Sequence, residues 1–445
     1  MVAASHLVAA CMIPAPFAAT STCSNATIPT DRRIKATCQQ LKTLLGGVIT
    51  LPSESQYDTL RDENWSHTAW KNPRCIAVPT DAADVQRVVD VLVDNHVPFA
   101  IRSGGHSANP QIEYDPATKL VTIGTGVRWG DVYTVLDPLN LTVVGGRVMD
   151  VGVGGLMLGG GLSYLSDLYG LACDNAVSYE VVLADGRVVQ ATATSHRDLF
   201  WALKGGINNF GILPAVLQAY NAYQALPNKD LDANMHLNIA STNGSKHAPA
   251  AFAPFYAIEP VQQVLGVMSL HELMSLFSTG SIPRWSWYAT SFRPTSAIFA
   301  AISTIMTTAP EVAILQALTG GTLVGTVQPI TANVAIAGRK RWAGGNALGL
   351  EPVNQTWFAL TVGYWSAADD AVAEAAIASL HARVEEVVRS AGQAVCYIFM
   401  NDANAAQPVI ASYGAENVLR LRAVQRVYDP RLVFRRLVPG GQKLG

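Results

Sequence analysis

A single imidazole, His106, stands directly after two glycines in the stretch RSGGHSANP (102–110). Farther along, GGRVMDVGVGGLMLGGGLSYLS (145–166) carries eight glycines among apolar residues. An imidazole exchanges protons near neutrality and can act as a nucleophile. Glycines let a backbone come close to a ligand and present N–H groups without obstruction by Cβ. That combination suits phosphates or a flat ring. The two standard phosphate signatures fail on spacing: a G-x-G-x-x-G starting at Gly152 meets Met157 where glycine is required, and no Lys-Ser/Thr follows a G-x4-G. Two readings of the glycines stay open, a nucleotide in another kind of cradle and a packing loop between sheets. For His106 alone, the alternative to a functional role is a loop histidine bonded to backbone.

The elements around these residues read as mixed α and β. TDRRIKATCQQLKTLLGG predicts a helix with Ile34, Cys38, Leu41 and Leu45 on one face and Gly46-Gly47 as its stop. CIAVP reads as a strand, Thr80 or Asp81 as the cap of a helix bearing Val85, Val88, Val89 and Leu92, and VPFAI as a strand entering the His106 loop. YEVVLADGRVVQA predicts a hairpin turning at Asp185-Gly186, and Ser195 is read as the cap of the helix DLFWALK. RWSWYATSF and NQTWFALTVGYW read as strands, and DAVAEAAIASLHARVEEVVRSAG as a long helix with Ile377, Leu380, Val384, Val387 and Val388 on one face. Trp285, Trp287, Tyr288, Trp357 and Tyr364 could line an apolar pocket, or alternation on the strands could simply bury one set in a core.

At 445 residues the chain has room for two domains. It is 49% hydrophobic and 14% charged with a formal net charge of −2 and no Lys/Arg run, which argues against nucleic acid and for a small-molecule partner. The six cysteines, at 11, 23, 38, 75, 173 and 396, lack the paired short spacings of zinc sites, so no metal is expected. Cys38 and Cys75 are either a bridge from first helix to first strand or two unpaired buried thiols. Residues 1–20 are apolar, lack acids and run into small residues, as signal peptides do, although no Lys or Arg precedes the apolar part. With the sequons at Asn25, Asn64, Asn140, Asn243 and Asn354, this points to a secreted glycoprotein. No other stretch approaches the roughly 18 uncharged apolar residues of a membrane span, so no membrane partner is expected.

Taken together, RSGGHS, VRWGDVY, TVVGGRVMDVGVGGLMLGGGLSYLSDLYGLACDN, ALKGGINNFGI and the closing MNDA with YGAENVLRLRAVQRVYDPRLVF resemble one family. It is the FAD-linked oxidoreductases with a p-cresol-methylhydroxylase-type, or vanillyl-alcohol-oxidase-like, FAD-binding domain, and within it the berberine-bridge-enzyme-like branch. The resemblance implies an α+β fold: a two-subdomain FAD-binding domain over 70–220 behind a lead helix and loop at 36–69. A substrate domain at 221–395 would carry an antiparallel sheet covered by helices, and 396–445 would return to the FAD domain.

The resemblance further implies FAD joined covalently to His106, with Arg102, Ser103, Gly104, Gly105 and Ser107 around the pyrophosphate. Gly152, Gly154, Gly155, Gly159, Gly160 and Gly161 would form a second flavin-contacting loop, and Asp174, Asn175, Asn208, Asn209, Gly211 and Asn401 fall at further positions near the cofactor. Doubly linked relatives carry a cysteine where Val148 stands, so one covalent bond is expected. Val151 matches a small gatekeeper that leaves the flavin open to O2, which favours an H2O2-forming oxidase over a dehydrogenase. The expected substrate is a small apolar alcohol, amine or dihydro-aromatic compound of secondary metabolism. Alternatives are a carbohydrate or aldehyde oxidase and a trimmed, flavin-free relative. Three departures stand out: QIEYDPATKLVTIG follows SANP at once, LPAVLQAYNAYQALP after NNFGI reads as helix, and Phe399 replaces a common tyrosine. The catalytic base has no matched position.

Overall fold

The computed structural model describes residues 29–63, 66–67, 70–104, 112–222, 234–236, 239–241, 268–276 and 282–445. Gly105, His106 and Ser107, the leader at 1–20, Cys11, Cys23, and the sequon residues Asn25, Asn64 and Asn243 lie outside them. Helix α1 (Asp31–Leu45) begins where the Thr30 hydroxyl accepts from the Arg33 N–H, and it ends at Gly46. Its buried face meets α2 (Ala82–Asp94), whose N-cap is Asp81, accepting from the Asp84 N–H at 2.7 Å. Strands β1 (Ile49–Thr50) and β2 (Ile76–Ala77) pair antiparallel beside them.

Cys38 and Cys75 are joined as a disulfide, which decides between the two sequence readings. They are 37 residues apart in the chain, and closing a loop of that length restricts the unfolded chain by roughly 3 to 4 kcal/mol. Cys75→Ser should lower unfolding free energy by up to about that amount, measured by urea titration of the non-reduced protein. Cys396 is also disulfide-bonded, to a partner outside the described residues. The stretch VPFAI forms no strand: it runs as irregular chain whose Phe99 N–H donates to the Leu437 carbonyl.

The first sheet is antiparallel throughout. It comprises β3 (Ile112–Asp115), β4 (Leu120–Gly124), β5 (Leu141–Val143), β6 (Ala176–Val182), β7 (Val188–Thr192) and β8 (Ile212–Ala222), in the order β3-β4-β8-β6-β7 with β5 pairing the far end of β8. β8 corrects the helical reading of LPAVLQAYNAYQALP. Leu, Ala and Gln favour helix in isolation, but this segment lies between β4 and β6, and ladder bonds on both edges override propensity. Pro214 is tolerated because it falls at a register shift in the β6 pairing, where its carbonyl accepts from the Thr125 N–H.

β6 and β7 form the expected hairpin, with Gly186 at φ +79°. Two helices lean on this sheet, α3 (Val153–Leu158) and α4 (Arg197–Leu203). The residue at the N-cap of α4 is His196 in left-handed conformation rather than Ser195, whose N–H is taken by the Thr192 hydroxyl. Trp129, Tyr133, Tyr179, Phe200, Trp201 and Phe210 fill the core between sheet and helices.

A short pair, β9 (Asn234–His236) and β10 (Ile239–Ser241), precedes the second sheet. That sheet contains β11 (Arg284–Phe292), β12 (Thr322–Ile330), β13 (Gln355–Tyr364) and β14 (Ala394–Val395) in the antiparallel order β12-β13-β11-β14. Helices α5 (Ser296–Thr308), α6 (Pro310–Gln316) and α7 (Asp370–Ser390) cover one face. Ile298, Val312, Leu315, Ile377, Leu380 and Val384 meet Phe358, Leu360 and Val362 there.

Strand alternation then divides the aromatic residues. Tyr288 and Tyr364 point to the helix side, donating to Glu374 (2.8 Å) and Asp370 (2.9 Å), so neither lines a pocket on the other face. Trp285, Trp287 and Trp357 take the opposite face, and Trp357 joins the core of the first sheet. After β14 the chain returns: α8 (Ala415–Tyr428) places Leu421 and Val424 in that core, and Val433, Phe434 and Val438 pack on Val85, Val89 and Val93 of α2. Among the described residues no single helix is long and apolar enough to cross a membrane.

Candidate cofactor and active site

Two glycine-bearing segments cross at backbone contact. Gly104, at φ +67°, and Gly152 face each other so closely that a Cβ on Gly152 would lie 2.7 Å from the Gly104 nitrogen, and one on Gly104 would lie 2.9 Å from the Gly152 Cα. Only glycine fits both positions. Ser103 locks the crossing: its hydroxyl donates to the Thr125 carbonyl (2.7 Å) and accepts from the Gly154 N–H (2.9 Å). Arg128 donates from Nε to the Gly104 carbonyl (3.0 Å), and the Val153 N–H donates to the Val127 carbonyl (3.0 Å). The loop leading to His106 is thereby clamped to the start of α3. Beside the crossing, no described residue outside its own helix backbone and chain neighbours comes within 4 Å of where a Cβ on Gly155 would be, and Val151 is 37% exposed. A close backbone approach with an open side is the shape a flat or phosphorylated group requires, so these residues fit the cofactor implied by the sequence.

A second meeting point lies at the far end of the glycine stretch. The Asn401 side chain sits where a Cβ on Gly159 would be (2.8 Å), and its Oδ1 accepts from the Gly161 N–H at 3.3 Å. Gly160 and Gly161 in turn accept, through their carbonyls, from the N–H groups of Cys173 and Ala172.

Other residues expected near the cofactor are engaged by protein. Arg102 donates to the Leu60 carbonyl (2.5 Å) and to Glu63 (2.9 Å). Asp174 accepts from the Leu171 N–H (3.0 Å) and from Asn346 (2.8 Å), and burial raises its pKa. Asn175 donates to the Tyr169 and Leu171 carbonyls. Asn208 and Asn209 pin the last residues of the chain, with Lys443 donating to Asn208 Oδ1 (2.9 Å) and Asn209 Nδ2 donating to the Gln442 carbonyl (3.0 Å). Gly211 packs on Val181.

Sequence reasoning missed a polar cluster where the two sheets meet. Arg147, in GGRVMD, donates from Nη2 to Gln328 Oε1 (2.6 Å), and Gln328 Nε2 donates to Asp402 Oδ2 (2.7 Å). Gln328 stands on β12 directly across from Trp357, which stacks on Phe399 with centroids 4.4 Å apart. Burial raises the pKa of Asp402, while the positive charge of Arg147 pulls against that. The one available signal was a charged residue in each of two otherwise apolar or small-residue runs, GGRVM and MNDA.

Comparison with known proteins agrees with this geometry. Residues 108–192 match the family described as FAD binding domain. The chain is 34% identical over 466 aligned positions to an FAD-dependent monooxygenase of Arthrobotrys oligospora, covering 92% of this chain and 89% of that protein. The alignment is longer than the part of this chain it uses, so segments of that relative have no counterpart here. Identity is also 34%, with 89% and 86% covered, to the bifunctional solanapyrone synthase of Alternaria solani. The fold matches glucooligosaccharide oxidase from Acremonium strictum with TM-score 0.70 at 16% identity, over 89% of this chain and 97% of that one; that protein is described with a 6-S-cysteinyl, 8α-N1-histidyl FAD. The chain therefore belongs to the FAD-dependent oxidoreductases whose FAD-binding domain is of the p-cresol-methylhydroxylase type, and FAD is its cofactor.

Proposed function

We propose that the protein is a secreted, H2O2-forming oxidase that holds FAD through one covalent bond to His106 and oxidises a small, mostly apolar alcohol, amine or dihydro-aromatic compound of secondary metabolism. The observation that carries the reading is the clamp of Ser103-Gly104 against Gly152-Gly154, because it ties the His106 loop to the glycine stretch with an open side at Val151 and Gly155. Ser103, Gly104, Gly152, Gly154 and Gly155 would hold the cofactor. The chemistry bound FAD supplies is two-electron oxidation at a carbon, with O2 as final acceptor. Val148, where a second link would need cysteine, supports a single covalent bond. Trp285 and Trp287, half-buried on the face of β11 away from the helices, would offer apolar surface to a substrate, which favours apolar compounds over sugars, whereas Trp357 is packed in the core. The names of relatives such as solanapyrone synthase support a place in secondary metabolism.

The purified protein should be yellow, should carry flavin fluorescence into an acid-precipitated pellet, and should release H2O2 with members of a panel of aromatic and aliphatic alcohols and amines. A colourless protein, or a flavin reoxidised by dyes and not by air, overturns the proposal.

A further inference from the structure

We propose that Asp402 is the catalytic proton acceptor, held in place by Gln328 and electrostatically supported by Arg147. This rests on the oxidase reading above and narrows its substrates to those with an O–H or N–H on the carbon being oxidised.

The geometry carries the assignment. Arg147, Tyr164 and Asp402 are each largely enclosed by protein, yet each keeps part of its surface accessible. Asn401, the neighbour of Asp402 in the chain, touches the glycine stretch with its side chain and is exposed, which places Asp402 beside the candidate cofactor site. Asp402 Oδ2 is fixed by the Gln328 amide, while Oδ1 takes no hydrogen bond from the described residues and is not among the sealed, partnerless buried atoms. A carboxylate with one oxygen anchored and the other left open is arranged to receive a proton.

Arg147 and Asp402 form no direct ion pair within 4 Å among the described residues, because Gln328 stands between them and bonds to both. The carboxylate is thus steadied by a nearby cation without having its free oxygen covered. The phenols of this segment do not compete. Phe399 has no hydroxyl and stacks on Trp357, and Tyr397 is buried, with burial holding its proton firmly.

In the step assigned to Asp402, the substrate O–H or N–H bond breaks and its proton bonds to Oδ1. The pair left on the heteroatom becomes the second bond of the C=O or C=N, as the two electrons of the oxidation leave with the hydrogen of the neighbouring C–H. Around the carboxyl, Arg147 favours the charged form, neutral Gln328 donates to it, and the phenol of Tyr397 is close enough to interact with it electrostatically. Burial acts first and raises its proton affinity. The rate should therefore climb with pH through a value above that of an ordinary aspartate.

The test uses the flavin-loaded protein and the compound from the alcohol and amine panel that reduces it fastest. Asp402→Asn keeps the volume and should retain acid-stable flavin, while anaerobic flavin reduction falls roughly 10²- to 10⁴-fold and loses its pH dependence, with little change in KM. Independently of turnover, an infrared pH titration of the holoprotein should show the C=O band of a protonated buried carboxyl that is missing in D402N. If D402N does not hold flavin, Asp402→Glu carries the test: it should keep a pH-dependent rate with a displaced midpoint. Reduction of D402N at the wild-type rate with an unchanged pH profile overturns the assignment. A wild type that no panel compound reduces defeats the oxidase reading instead, and this inference falls with it.

Discussion

Replacing His106 by alanine should leave an acid-precipitated pellet without colour or flavin fluorescence, where the wild-type pellet carries flavin near one per chain. The loop that presents His106 leaves the clamp at Ser103 and Gly104, whose bonds to Thr125, Gly154 and Arg128 fix its starting direction. A noncovalent site could survive the change, since none of those bonds involves the imidazole, so H106A should still bind added FAD reversibly. Its turnover should fall about tenfold or more, on the order of 1.4 kcal/mol of barrier, because linkage through an imidazole withdraws electron density from the ring and strengthens the oxidant. Flavin that stays bound to H106A after denaturation would move the linkage elsewhere.

Gly152→Ala should nearly empty the site of flavin while far-UV circular dichroism stays native. The new methyl would lie 2.7 Å from the Gly104 nitrogen and 2.7 Å from Ser103 Oγ. Both belong to backbone or to a side chain already fixed by two hydrogen bonds, so the loops must part. Overpacking of this kind costs about 1 to 3 kcal/mol, and it separates Ser103 from the Gly154 N–H. We expect at least a tenfold drop in flavin per chain, read from absorbance, with a lower Tm. Gly155→Ala supplies the contrast. Its Cβ meets no atom of the described residues outside its own helix backbone and chain neighbours within 4 Å, so stability should hold, and loss of flavin there would report a cofactor atom in that space. Equal behaviour of the two variants would contradict the crossing as the cradle.

Much of the local structure could be read along the chain. α1 and α2 follow from helical spacing and their caps, the β6–β7 hairpin from Asp185-Gly186, β11 and β13 from aromatic runs, and α7 from apolar residues at helical spacing. These are decided by neighbours in sequence. β8 was misread for the complementary reason: its residues favour helix, and its strand conformation comes from β4 and β6, which are far away along the chain. VPFAI failed similarly, since the partner of Phe99 is a backbone carbonyl near the C-terminus.

The candidate site divides along the same line. The order of its motifs made the sequence by itself resemble an FAD-linked oxidoreductase and pointed to the lone imidazole and the glycines at 104, 152 and 154. Spacing alone left a cradle and a packing loop both open, because glycine permits a close backbone approach without saying what approaches. Only the tertiary structure decided that Asp174, Asn175, Asn208 and Asn209 spend their hydrogen bonds on the protein itself, and that Tyr288 and Tyr364 face the helices. It alone brought together Arg147 from the glycine stretch, Gln328 from β12 and Asp402 from the returning segment. Such a cluster leaves no periodic trace in the chain, since hydrogen bonds between distant residues depend on which faces of two sheets meet.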